Sequence, residues 1–98
     1  MKSEARLQTK IIQFLKDNGR FVIKTQGGTP GTSIGTPDVI TIHPNGKLLG
    51  LEIKRPDGKG KVSVEQRAIG ARILDNCAYW FVIDSWESFM EAWKVDRI

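Results

Sequence analysis

One cysteine, Cys77, and one histidine, His43, occur in the 98 residues. The single thiol excludes an internal disulfide and a cysteine-rich zinc site. The single imidazole excludes a multi-histidine metal centre and makes a Ser-His-Asp triad a poor expectation. No apolar run approaches the ~20 residues that span a bilayer. Glu4, Arg6 and Lys10 interrupt any signal-peptide core at the N-terminus. Internal repeats and low-complexity tracts are absent too. The expectation is a soluble, cytoplasmic chain with no membrane partner, folded as one domain over residues 1–98 with a modest core. Fifteen Lys and Arg against eleven Asp and Glu give a net charge of +4. That balance favours an anionic partner without deciding one.

Local signals order the chain as α-β-β-β-α-β-α. Ser3 is a plausible cap for a helix that Asn18-Gly19 stops. Residues 20–25 are β-branched and aromatic, as a strand requires. A glycine-rich loop with Gly27, Gly28, Gly31 and Gly35 follows; it lacks the Lys-Ser/Thr of a phosphate-binding loop. After a hairpin and a basic loop, Ser63-Val-Glu-Gln66 reads as a capping box opening a second helix. Residues 79–83 form a continuous apolar run, expected to be a strand buried on both faces. A last helix from Ser85 carries Trp86, Phe89, Met90 and Trp93 on one stripe, expected to be core. The fold class is therefore α/β, a mixed sheet with a central antiparallel hairpin flanked by helices, the last strand joining by a crossover.

The hairpin, residues 34–54, carries three charges where apolar strands would not place them: Asp38, Glu52 and Lys54. They are either a solvated face or a site. Its turn argues for a register. A two-residue Asn-Gly turn would pair Pro44, which has no amide, with Lys47. A three-residue loop, Pro44-Asn45-Gly46 with Gly46 left-handed, pairs His43 with Lys47 instead. Counting back sets Asp38 opposite Glu52, and directly opposed residues share a face. Lys54, two residues on, shares it as well. Two helical residues repeat the oddity. At 100° per residue, Glu4 falls in the stripe of Leu7, Ile11 and Leu15, and Gln66 in that of Ile69, Ile73 and Cys77. Glu4 also suits a plain helix first turn, where its charge favours the dipole.

Asp38, Glu52 and the carbonyl of Ile53 offer hard oxygen ligands, which with water suit Mg²⁺ or Mn²⁺. A metal so held, beside a scissile phosphate, neutralises developing charge and activates water. Lys54 would orient or help deprotonate the attacking water, Glu4 would reach the metal through water, and Gln66 would hold a water or a phosphate oxygen. No organic cofactor is called for.

Gly35-Thr-Pro-Asp38 followed by Glu52-Ile-Lys54 resembles the Pro-Asp…(Asp/Glu)-x-Lys nuclease superfamily. Within it, the chain is most similar to the stand-alone virus-type replication-repair nuclease (VRR-NUC) domain. That pattern's helical Glu, Gly-x-Pro-Asp, Glu-x-Lys and following helical Gln match Glu4, Asp38, Glu52 with Lys54, and Gln66. The resemblance implies a restriction-endonuclease-like core and a Mg²⁺-dependent DNA endonuclease leaving 5′-phosphate and 3′-hydroxyl ends. It further implies a homodimer acting on branched DNA such as four-way junctions, in a phage or bacterial setting of DNA repair.

Lys24, Arg55, Lys59, Lys61 and Arg67 lie on or near loops expected to flank the site, as candidate phosphate contacts. A solvated basic face is the plainer alternative for each. Two other functions compete with catalysis: a non-catalytic nucleic-acid-binding module on the same fold, and a protein-interaction domain using the tryptophan-bearing last helix.

Overall fold

A computed structural model describes residues 3–25, 34–57 and 60–98. Its elements are α1 (Glu4–Asp17), β1 (Val22–Lys24), β2 (Val39–Ile42), β3 (Leu48–Ile53), α2 (Val64–Asp75), β4 (Tyr79–Ile83) and α3 (Trp86–Lys94). Three helices and one four-stranded mixed sheet make a small α/β domain. Each helix begins at a serine that accepts the backbone N–H three residues on: Ser3 from Arg6, Ser63 from Gln66, Ser85 from Ser88. Such caps satisfy amides that the helix itself cannot.

The sheet runs β1-β2-β3-β4. Strands β1, β2 and β3 form an antiparallel meander, and β4 lies parallel to β3 after the α2 crossover. The hairpin has the register its turn requires. His43 N–H donates to the Lys47 carbonyl at 2.9 Å, and Gly46 takes φ +91°. Asn45 tightens the turn, its side-chain oxygen accepting the Lys47 N–H at 3.0 Å.

Strand alternation divides the sheet into two unlike faces. One carries Val39, Leu49, Leu51, Ile53 and Ile83, all buried. Helices α1 and α3 cover it with Leu7, Ile11, Leu15 and Phe89, which are buried too. Phe14 sets its ring edge-on to Trp86, Phe89 and Trp93, at centroid distances of 5.4, 5.6 and 4.9 Å. Each large apolar side chain buried here contributes about 1.5–3 kcal/mol. The last helix is thus core, as its stripe indicated. Thr41, a buried polar residue on this face, donates its hydroxyl to the Phe21 carbonyl at 2.7 Å.

The second face carries Gly50, Glu52, Trp80 and Val82, and α2 is the helix that covers it among the described residues. A Cβ built on Gly70 of α2 would meet the Trp80 ring at 2.4 Å, so helix and indole lie in direct contact. Cover by one short helix explains two departures from expectation. Strand β4 is an edge strand that is half-buried along most of its length, and Val82 on the second face is 41% exposed. Helix α2 ends at Asp75, so Cys77 leaves the Gln66 stripe and stands exposed at φ +62°.

Candidate active site

Continuing the β2–β3 pairing past Val39 and Leu51 brings Asp38 opposite Glu52. Asp38 Oδ2 accepts the Ile53 N–H at 2.9 Å, which draws its carboxylate across the gap between the strands. From the other side, Thr25 N–H donates to the Asp38 carbonyl at 3.0 Å. The residues before Asp38 have positional reasons of their own. Pro37 is fully buried against Gly50, where an added Cβ would sit 2.8 Å from Pro37 Cγ. Gly35, at φ +92°, lies so close to the first turn of α2 that a Cβ would be 2.4 Å from the Glu65 carbonyl oxygen. Only glycine combines that conformation with that approach. The Gly-x-Pro-Asp segment therefore fastens the loop to both β3 and α2.

Glu52 is completely buried, and among the described residues neither of its oxygens has a hydrogen-bond partner. Burial chiefly, and the Asp38 charge next, push its pKa up from 4.5 to about 7; the Lys54 charge opposes them. Smaller lowerings come from the Asp38 backbone N–H and then the Trp80 indole N–H, which act on the carboxyl without reaching bonding geometry with either oxygen. An ionised carboxylate held this way is costly unless a cation meets it.

The donor set fits a small hard cation. Mg²⁺ is commonly held by one or two carboxylates and several waters. A residue's N–H and C=O point to the same edge of a strand. The Ile53 carbonyl is therefore directed toward β2, the side on which Asp38 takes the Ile53 amide. Among the described residues no three His, Cys, Asp or Glu side chains converge to hold a metal by themselves. Two carboxylates, a backbone oxygen and water are what the site offers.

Lys54, half-buried at the end of β3, donates through Nζ to Gln66 Oε1 at 2.8 Å. The same oxygen accepts the Ser63 N–H at 2.9 Å. The capping box of α2 thus doubles as a clamp on the lysine. The structure brings together Asp38, Glu52, Lys54 and Gln66.

Glu4 is half-buried at the head of α1, which packs on the opposite sheet face from α2. One turn on, Leu7 and Lys10 line a cavity of about 370 Å³ with Pro56 and Ser85. The start of α1 therefore lies near the sheet end where Glu52 and Lys54 are. The helical stripe identified Glu4 as inward-facing but carried no information on which face it served.

The candidate phosphate contacts divide. Lys61 and Arg67 are exposed near the start of α2. Arg55 is exposed and paired with Asp57 at 2.6 Å. Lys24 pairs with Val39, so it belongs to the α1–α3 face and not to that of Asp38. Lys59, with Gly27, Gly28 and Gly31, lies outside the described residues. Trp80 was not foreseen; inside a run of five apolar residues nothing singles out its nitrogen. Comparison of the chain with protein-family models, with characterised proteins and with solved structures found no match.

Proposed function

We propose that this chain is a Mg²⁺-dependent DNA endonuclease whose centre is Asp38, Glu52 and Lys54. The observation that carries the reading is Glu52: buried, with no hydrogen-bond partner for either oxygen among the described residues, and opposite Asp38 in the continued strand register. A solvated acidic face would leave such a group wet, and a structural ion pair would give it a donor. Retaining it makes sense where a cation completes it.

Asp38, Glu52 and the Ile53 carbonyl would hold the ion, with Mn²⁺ able to replace Mg²⁺. When bound, the ion supplies charge neutralisation at the phosphate and a more acidic water. The ammonium of Lys54 would orient the attacking water and steady the phosphate, held in place by the Gln66 oxygen. Glu4 would act through water from the head of α1. Lys61 and Arg67 would contact phosphates flanking the scissile bond, and Arg55 would do so on exchanging Asp57 for DNA. The resemblance to VRR-NUC nucleases extends the reading to a restriction-endonuclease-like core, 5′-phosphate products, branched DNA and a homodimer. Incomplete cover of the second sheet face, where Ile42 and Leu48 remain 38% and 39% exposed, suits the last of these.

The test is cleavage of labelled linear, flap and four-way DNAs with Mg²⁺ or Mn²⁺. Wild-type protein should cut at least one, while Asp38→Ala and Lys54→Ala bind DNA without cutting. A folded wild-type protein that leaves every substrate intact would end the reading.

A further inference from the structure

Trp80 shares the sheet face of Glu52 and has no part in the reading above. Parallel pairing sets Gly50 beside Trp80 and Glu52 beside Val82, which makes Trp80 and Glu52 diagonal neighbours on that face. The indole nitrogen is buried and, among the described residues, has no hydrogen-bond partner; both Glu52 oxygens are in the same condition. An indole N–H only donates and an ionised carboxylate only accepts, so the orphans are complementary. Leaving a buried polar group unpaired is costly. Apolar packing alone gives no account of the nitrogen, since phenylalanine would fill space here without burying an N–H. The ring has little room to turn elsewhere, because the Gly70 backbone lies directly on it.

We propose that Trp80 is a positioning residue of the metal site: as one Glu52 oxygen turns to a divalent cation, the other accepts the Trp80 indole N–H. This rests on the reading of Asp38 and Glu52 as metal ligands. Carboxylates that bind metals are usually hydrogen-bonded in turn, which fixes their orientation. A small rotation of the carboxylate would satisfy both buried groups at once. Gly70 then has a purpose beyond packing, since any larger residue would displace the donor.

The experiment replaces Trp80 with β-(3-benzothienyl)alanine, which keeps the ring shape and puts sulfur where the N–H was. Trp80→Phe is the genetically encoded counterpart and Glu52→Ala the reference for a lost ligand. Mg²⁺ affinity is measured by calorimetry, and the indole proton resonances are followed by NMR. The benzothienyl protein should unfold at the wild-type urea midpoint yet bind Mg²⁺ about ten- to a hundred-fold more weakly. In wild-type protein the resonance that Trp80→Phe removes should move downfield and exchange more slowly as Mg²⁺ saturates. Wild-type affinity in the benzothienyl protein, with binding lost in Glu52→Ala, would leave the metal site standing and overturn the role of Trp80; an unmoved indole resonance would do the same. No Mg²⁺ uptake by wild-type protein would remove the metal site and this role with it.

Discussion

Replacing Glu52 by glutamine should stabilise the metal-free protein and, on the same account, remove its metal response. The native Glu52 carboxyl holds its proton up to about pH 7, whereas in the unfolded chain it releases it near 4.5. A raised native pKa means stability that is fully present below the unfolded value and lost as pH climbs through the native one. At 1.36 kcal/mol per pH unit, the interval from pH 4.5 to about 7 corresponds to about 3 kcal/mol lost. Glutamine has nearly the same shape and no charge, so it should avoid most of that loss while still burying a polar group. Urea unfolding in EDTA at pH 5 and pH 8 measures it. The variant should exceed wild type by about 2 kcal/mol at pH 8 and by less at pH 5. Saturating Mg²⁺ should raise wild type and leave Glu52→Gln unmoved. Equal pH dependence in the two proteins, or a variant weaker than wild type at pH 8, would refute the reasoning.

Three further substitutions probe how the site is held. Gly35→Ala combines a left-handed φ of +92° with a 2.4 Å approach to the Glu65 carbonyl, so urea unfolding should show a loss of at least 2 kcal/mol, the order expected for strain and overpacking together. Gln66→Ala breaks the capping box and releases Lys54 Nζ; it should cost about 1 kcal/mol of stability and depress cleavage more than DNA binding in a gel-shift comparison. Phe89→Ala empties the centre of the aromatic cluster, and its unfolding free energy should fall by about 3–5 kcal/mol.

The parts of this molecule legible in the sequence are those where one residue's chemistry leaves a single choice. Proline without an amide and glycine at positive φ fixed the hairpin turn, and the period of two then carried Asp38 to Glu52 without further information. Ser63 and Gln66 announced a capping box because the spacing is local. What stayed hidden depends on pairings between distant segments. Lys24 looked like a site residue until β1 paired with β2 and turned it to the other face. Glu4 was recognisable as inward-facing, but a helix can bury the same stripe on either side of a sheet. The apolar run of β4 reads alike for a central strand and for an edge strand, and only the sheet order tells them apart. Trp80 and Glu52 meet diagonally across a parallel pair formed by residues nearly thirty positions apart, beyond the reach of any periodicity.

The central claim is that Asp38 and Glu52 form a divalent-cation site, and calorimetric titration with Mn²⁺ tests it most directly. Wild-type protein should give a saturable heat near one ion per chain, and Glu52→Ala, still folded by circular dichroism, should give none. No heat from wild type, or the same heat from both proteins, would contradict the account.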